Sequence, residues 1–150
     1  MRTLFLSIVV VCGNLLCYSS LRAQTAEDVP AFTCPLMQAV RHTDSAALRY
    51  EGSEERKLII SSPTDSLVKA CADAVISTVQ READGTYGIV YSYEDFWFWV
   101  SGVQQPMVRA QQRVKQGQPI GRLLPGAKLE ILLFDFETPV DPAEYLRCRQ

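Results

Sequence analysis

The chain has 150 residues, of which 47% are hydrophobic and 21% charged, and its formal net charge at pH 7 is −2. This length accommodates one ordinary domain with a single core. The near-balanced charge provides neither the basic surface of a nucleic-acid-binding protein nor an electrostatic attraction to an anionic membrane.

The pattern of a secretory signal peptide covers residues 1–23. An apolar run at 4–11, extended to Leu16, follows Arg2 and precedes a small-residue cleavage site that ends at Ala23. The run is too short to span a membrane. Cleavage after Ala23 leaves 127 of the 150 residues, with 13 basic and 17 acidic side chains and a net charge of −4. The predicted location is therefore the periplasm or the exterior.

A lipoprotein anchor is disfavoured as the alternative to a soluble exported chain. Leu16 precedes Cys17 and Val11 precedes Cys12, at positions where a lipid-attachment motif needs a small residue. Both cysteines would leave with the signal peptide.

Three cysteines, Cys34, Cys71 and Cys148, would enter an oxidising compartment. The favoured disulfide is Cys34–Cys148, which would join the two ends of the mature domain, although spacing alone leaves the connectivity open. Cys71 stands between two alanines in a run that is predicted to be a buried strand. Three cysteines without nearby histidines make a poor zinc site.

The mature chain is predicted to consist of an N-terminal extension, 24–50, and a main domain, 51–150. Residues 24–30 are polar and predicted to be loose, and 31–50 mix turn residues with apolar positions suited to a short cover segment. The charged run 51–57 is most simply a solvated loop.

Short runs rich in β-branched and aromatic residues follow, and they predict strands rather than helices. Residues that favour turns separate them, in the pattern of an all-β sandwich or folded sheet. The predicted strands are 57–61, 67–71, 74–80, 86–93, 96–101, 106–110 and 128–136. The turn signals lie at 62–65, 83–85, 94–95, 116–117 and 125–126.

Two segments carry a resemblance to a known family: residues 112–121 read QRVKQGQPIG, and residues 129–142 read LEILLFDFETPVDP. With the strands before them, they resemble the LytM-like family, the M23 zinc-dependent peptidoglycan endopeptidases, over roughly residues 55 to 146. The resemblance implies a folded antiparallel sheet or β-sandwich of the duplicated hybrid motif type, with a short N-terminal cover segment. Lipoyl and biotinyl carriers use a similar turn, but Lys69 lacks the hairpin setting of their modified lysine.

The chemical positions of that family hold other residues here. Active members bind zinc through a His and an Asp four residues later, and through the second His of a His-x-His pair on the last strand; two further histidines assist catalysis. The matching positions in this chain are Glu55, Ile59, Gly102, Lys128 and Glu130. None keeps the family residue, whereas a catalytic zinc ordinarily needs three protein ligands and an open position. The resemblance therefore implies a protein that is not an enzyme and has no cofactor.

Strand alternation assigns the residues of the former groove. Phe98 and Val100 are predicted to share a face with Gly102, next to the last-strand face that begins at Lys128. The predicted partner-binding groove comprises Glu55, Ile59, Phe98, Val100, Gly102, Lys128, Glu130, Leu132 and Phe134. Two alternatives stay open: either this apolar floor is covered by apolar residues of 31–50, or it receives a partner. The candidate covering residues are Leu36, Met37, Val40, Leu48 and Tyr50.

Three further side chains are assigned ordinary structural roles. Trp97 and Trp99 alternate with the phenylalanines and are predicted to pack in the core rather than to hold sugar rings. His42 is the only histidine, and it is predicted to be a surface or capping imidazole. The serines, Ser61 among them, have no histidine partner in a recognisable pattern.

The favoured function is that of a non-catalytic envelope protein that regulates or scaffolds peptidoglycan processing. Its expected partner is an envelope protein such as a wall amidase, because degenerate members of the family activate such enzymes by binding them. One alternative is a module that binds peptidoglycan or glycan without cleaving it. The other is a divergent zinc metallopeptidase that uses carboxylates such as Glu55 and Glu130.

Overall fold

A computed structural model describes residues 30–42, 48–50 and 53–148, with the backbone alone for 48–50 and 53–55. The predicted signal peptide lies outside these ranges. Within them the chain forms fifteen strands and one short helix, α1 (Pro142–Tyr145). The strands are β1 (Phe32–Thr33), β2 (Val40–His42), β3 (Leu48–Tyr50), β4 (Ser53–Glu55), β5 (Leu58–Ser61), β6 (Leu67–Lys69), β7 (Ala74–Arg81), β8 (Tyr87–Tyr93), β9 (Phe96–Val103), β10 (Gln105–Pro106), β11 (Arg113–Val114), β12 (Pro119–Arg122), β13 (Leu129–Asp135), β14 (Thr138–Val140) and β15 (Leu146–Arg147). The predicted all-β class is confirmed.

The main sheet is antiparallel and has the strand order β11-β7-β8-β9-β13-β5-β2, with β14 also paired to β13. Its central strands β7, β8 and β9 are consecutive hairpins. Strand β13 then inserts between β9 and β5, which joins the two ends of the described chain in one sheet. A smaller antiparallel sheet has the order β10-β12-β6.

The hydrophobic core includes one face of the main sheet and the apolar side chains of the smaller sheet. Strand β9 alternates buried and half-buried residues from Phe96 to Val100, and β13 alternates in the same way from Leu129 to Leu133. Its fully or almost fully buried members are Val68, Ile76, Ile89, Tyr91, Phe98, Val100, Val103, Ile120, Leu129, Ile131 and Leu133. Burying each large side chain stabilises the fold by about 1.5–3 kcal/mol. We call the opposite face of the main sheet the outer face.

The two ends of the described chain are fastened together. Strand β1 pairs in parallel with β15, and the predicted disulfide Cys34–Cys148 is confirmed, with an S–S distance of 2.06 Å. Nearby, the backbone N–H of Met37 donates a 2.8 Å hydrogen bond to the carboxylate of Asp65. Burial raises the pKa of Asp65, but the N–H groups of Met37 and Leu67 together with the Lys69 ammonium outweigh it and lower the pKa below its usual value.

Cys71, predicted to be buried, is fully buried and free, next to Tyr91. Its backbone N–H lies 3.4 Å from the Tyr91 hydroxyl oxygen. Burial raises the pKa of the Cys71 thiol to about 12 and raises that of Tyr91 well above its usual value. Both groups are therefore neutral parts of the core.

Several predicted elements differ from the observed ones. The predicted strand 106–110 is wrong, because only Gln105–Pro106 pairs, with β12, and the chain then turns. Short strands such as β11 and β12 were missed because two to four residues carry no readable alternation. Within the described ranges, no helix has the length and apolar character that crossing a membrane requires.

The N-terminal segment does not lie across the sheet where the structure describes it. Leu36 packs into the core, whereas Met37 and Val40 are 63% and 51% exposed. Strand β2 instead extends the main sheet at its edge, paired with β5. The side chains of Leu48 and Tyr50, the other predicted covering residues, lie outside what the structure describes.

Candidate functional site

A row of side chains crosses the outer face where the family's ligand positions were predicted. Register places His42 opposite Ile59, Ile59 opposite Glu130, and Glu130 opposite Ser101, on the four adjacent strands β2, β5, β13 and β9. Directly opposite residues of an antiparallel pair share a face. The structure therefore brings Ile59 and Glu130 together, as predicted, and adds His42 and Ser101, which were not.

The charged member of this row already has an ionic partner. Lys57 Nζ donates a 2.7 Å hydrogen bond to Glu130 Oε2, and its side chain is only 15% exposed. Ile59, between the two strands that carry these charges, is buried and apolar. The row thus contains an ion pair and an aliphatic residue at positions where a metal would need donor atoms.

Phe98 and Val100 do not belong to the groove, so their predicted place there is wrong. They pair with Leu133 and Ile131 and are fully buried in the core. The reason is a bulge: Ile89 pairs with Val100 and Tyr87 with Val103, so β9 has one more residue than β8 over this stretch. Alternation is interrupted there, and the parity of position 102 does not extend back along β9.

Gly102 stands within this bulge with φ +93°, a conformation that favours glycine. A Cβ atom at this position would lie 2.6 Å from the carbonyl oxygen of Lys128. The close approach of β9 to the start of β13 therefore requires a residue without a side chain. The family's histidine cannot be placed here without moving the backbone.

A cleft of about 400 Å³ opens beside Gly102. Glu82 and Asp84, on the turn between β7 and β8, form one wall, and Ser101 Oγ donates a 2.9 Å hydrogen bond to Glu82 Oε1. The residues that line the cleft are Glu82, Asp84, Thr86, Ser101, Gly102, Gln104, Ala127, Lys128 and Glu130. The predicted positions Gly102, Lys128 and Glu130 thus meet in one polar cleft.

Aromatic and apolar side chains continue the outer face away from the cleft. Trp99 pairs with Leu132 and Trp97 with Phe134, and the rings of Trp97 and Phe134 stack with centroids 3.8 Å apart. The two tryptophans and Leu132 are half-buried, and Phe134 is buried. The prediction that the tryptophans pack in the core is therefore wrong, although they do face away from Phe98, as alternation required.

Glu55, the remaining predicted groove residue, lies in β4, which forms a two-stranded hairpin with β3. Its Cα position is opposite Leu48, and its side chain lies outside what the structure describes. Its placement in the groove stays a prediction.

His42 has a partner that the sequence did not reveal. Its Nε2 lies 2.8 Å from Ser61 Oγ, so the expectation that Ser61 lacks a histidine partner is wrong. Among the described residues, no carboxylate forms a hydrogen bond with the other ring nitrogen, and Ser61 is buried. A serine nucleophile needs an accessible oxygen and an oriented base, and this pair provides neither.

The residues present do not fit the zinc ion that the resemblance associates with this site. Ile59 has no donor atom, Gly102 has neither a side chain nor room for one, and the Glu130 carboxylate is paired with Lys57. Across the described ranges, no three His, Cys, Asp or Glu side chains group together as metal ligands. A catalytic zinc needs three.

Sequence reasoning missed Lys57, Glu82 and Asp84. Alternation from Ile59 could have placed Lys57 on the outer face, because residues two apart on a strand share a face. The turn that carries Asp84 was recognised, but only the strand order brings that turn beside Gly102.

No protein-family model matches the chain, and no curated protein matches it. Solved structures do. Csd3 from Helicobacter pylori matches with a TM-score of 0.63 and 16% identity, over 80% of this chain and 34% of the Csd3 chain. This chain thus spans about a third of Csd3.

Two further structures match over almost their whole length. A chain of the SpoIIQ–SpoIIIAH pore forming complex gives a TM-score of 0.58 at 14% identity, over 79% of this chain and 92% of that one. The catalytic domain of the prophage-encoded M23 protein EnpA from Enterococcus faecalis gives 0.53 at 19% identity, over 78% and 96%. The chain therefore has the M23 peptidase fold, and the predicted resemblance is confirmed at the level of the fold.

Proposed function

We propose that this protein is an exported, non-catalytic envelope protein that regulates or scaffolds peptidoglycan processing by binding another protein. The binding surface is the outer face of the main sheet, from the cleft at Lys128 and Glu130 to Leu132 and Phe134. The observation that carries the proposal is the replacement of donor atoms by the Lys57–Glu130 ion pair and the aliphatic Ile59, on an M23 fold that is otherwise kept.

The composition of the outer face supports binding to a protein. Half-buried Trp99 and Leu132 lie between the polar cleft and the Trp97–Phe134 stack, so apolar and charged surface adjoin. Protein interfaces typically combine an aromatic centre with a polar rim. A chain of the SpoIIQ–SpoIIIAH pore forming complex has the same fold, which supports a role in protein assembly for this fold.

The test is digestion of labelled peptidoglycan by the wall amidases of the same organism, with and without the mature protein. We expect faster release of label only when amidase and protein are both present. Glu130→Arg should weaken this stimulation because it inverts the charge in the cleft. Glu144→Arg, an exposed acid on α1, is the matched control and should leave it unchanged.

Two results would contradict the proposal. The absence of stimulation with every amidase tested would remove the regulatory role. Release of label by the protein and zinc alone, with zinc retained after dialysis, would instead identify a divergent metallopeptidase.

A second candidate, a module that binds peptidoglycan or glycan without cleaving it, is favoured by one observation. Trp97 and Trp99 lie half-buried on the outer face and not in the core. Tryptophan rings provide large, flat apolar surfaces with a polar edge. Co-sedimentation of the purified protein with sacculi in the absence of other proteins would favour this function over protein binding.

A further inference from the structure

A second surface lies at the end of the main sheet, where the β8–β9 turn meets the β13–β14 turn. We call Asp95, Asp135, Phe136 and Glu137 the Phe136 tip. The Phe136 side chain is 65% exposed, whereas Phe134, two residues earlier, is 7% exposed. The tip is formed by turns, and none of its residues lines the cleft at Glu130.

The backbone at the tip is one that phenylalanine rarely adopts. Phe136 has φ +52°, in the left-handed region where glycine or asparagine is usual. For a residue with a side chain this conformation costs about 1–2 kcal/mol. The chain therefore keeps an exposed aromatic ring where both solvation and backbone conformation oppose it.

The turn that carries Phe136 is held from two sides. Its backbone N–H donates a 2.8 Å hydrogen bond to the carbonyl oxygen of Asp95, and its carbonyl oxygen accepts a 2.5 Å hydrogen bond from Trp97 Nε1. The Trp97 ring is itself stacked on Phe134. Because the backbone is already fixed, little conformational entropy is lost when the ring enters a partner.

The charges around the ring have one sign. Segments 93–97 and 133–139 contain four carboxylates and no basic residue, although the whole chain has a net charge of only −2. Among the described residues, no Lys or Arg forms an ion pair with Asp95, Asp135 or Glu137. An acidic rim of this kind repels anionic lipid and attracts a basic surface.

We propose that the Phe136 tip docks a protein partner whose pocket is apolar at its centre and rimmed by lysine or arginine. Phe136 is the anchor that fills the pocket, and Asp95, Asp135 and Glu137 face the basic rim. Aromatic anchors surrounded by complementary charge are the usual centres of binding energy in protein interfaces. This site is additional to the outer-face cleft and does not depend on it.

The test begins with p-benzoylphenylalanine incorporated at position 136 of the full chain, in cells that make the protein. The matched control carries the probe at position 124, because Leu124 is equally exposed at 63% but stands in a different turn. We expect a protein that crosslinks at position 136 and not at position 124, with the crosslink beside Lys or Arg. That protein, once purified, serves as the ligand for binding measurements.

Phe136→Asn should weaken its binding about tenfold or more, the loss expected of an interface anchor. Asparagine tolerates positive φ, so the turn should survive, and an unchanged melting temperature would verify this. Neutralising Asp95, Asp135 and Glu137 to Asn, Asn and Gln should slow association and reduce its dependence on salt. Glu144→Gln is the control for the loss of one exposed negative charge.

Three results would overturn the proposal. They are crosslinking at position 136 no stronger than at position 124, an affinity that Phe136→Asn leaves unchanged, and a crosslinked surface without lysine or arginine. Glu130→Arg should leave this binding intact, so failure of the amidase experiment and failure of the tip remain distinguishable.

Discussion

The ammonium nitrogen of Lys57 lies 2.7 Å from Oε2 of Glu130, on the outer face of the main sheet. Glu130 stands opposite Ile59, so one carboxylate, one aliphatic side chain and one ammonium group occupy this part of the row. The nearest carboxylate to the former ligand positions is thus neutralised within the fold itself. This arrangement keeps the row electrostatically satisfied without a metal ion.

Replacing Lys57 with Met should lower the free energy of unfolding by about 0.5–1 kcal/mol, and added salt should reduce the loss. Lys115→Met is the matched control, because the Lys115–Asp73 pair has the same 2.7 Å separation but its lysine side chain is 81% exposed. Its removal should cost about 0–0.5 kcal/mol. Urea unfolding at two ionic strengths measures both, and equal losses would refute the effect of burial.

Gly102→Ala should lower the free energy of unfolding by about 2–4 kcal/mol, from the positive φ and from the contact with the Lys128 carbonyl. Gly126→Ala has a similar φ of +78° but open space around its Cβ position. That control should lose only about 1–2 kcal/mol. Thermal unfolding of both variants isolates the contact, and an equal loss in the two would count against it.

The stacked rings of Trp97 and Phe134 should be energetically coupled. A double-mutant cycle with Trp97→Leu and Phe134→Leu should give about 0.5–1.5 kcal/mol of coupling in chemical denaturation. Trp97→Leu also removes the hydrogen bond to the Phe136 carbonyl, and this single-variant effect cancels in the cycle. Additive losses would mean that the stack contributes no more than the burial of each ring.

Loss of the Cys34–Cys148 disulfide should lower the free energy of unfolding by about 4–5 kcal/mol, because the bond closes a long loop in the unfolded chain. Its sequence separation is 114 residues. The double Cys→Ser variant in urea unfolding tests this. Cys71→Ser is not a suitable control because it buries a hydroxyl group, whereas Cys71→Ala keeps the site apolar and leaves the disulfide in place.

Stability should fall as the pH rises above about 9. The Cys71 pKa is raised from 9.0 to about 12 by burial, so the unfolded chain releases this proton first and the stabilisation is lost between these two values. The slope from this group is at most about 1.4 kcal/mol per pH unit. Cys71→Ala should remove this component, and Tyr91 should continue the decline at higher pH. A variant with an unchanged slope would refute the assignment.

Strand alternation predicted the interior of this protein better than its site. It correctly separated Phe96 and Phe98 from Trp97 and Trp99, because alternation is a local property of one strand. It could not indicate which set faces the core, since both sets are apolar. It also failed at Gly102, where a bulge visible only in the pairing with β8 interrupts the alternation.

The residues that the site gained came from non-local pairing. His42 reaches the outer face because β2 adds to the edge of the main sheet, and Asp84 reaches the cleft because a turn lies over the start of β13. Neither arrangement follows from the residues adjacent to it in sequence. The disulfide was predictable because its two cysteines flank the mature domain.

The pairing of β1 with β15 has a consequence for how the chain folds. Phe32 pairs with Leu146, and Ile60 of β5 pairs with Leu129 of β13, so two closures each join segments many tens of residues apart. Contacts of this range must overcome a large loop-closure entropy before they stabilise the fold, and they slow folding. The β7–β8–β9 hairpins can form from local contacts, but the sheet cannot be completed until β13 is available. The half-made chain therefore passes through a stage at which the edge of β9 is unpaired, and this stage is the one most exposed to aggregation.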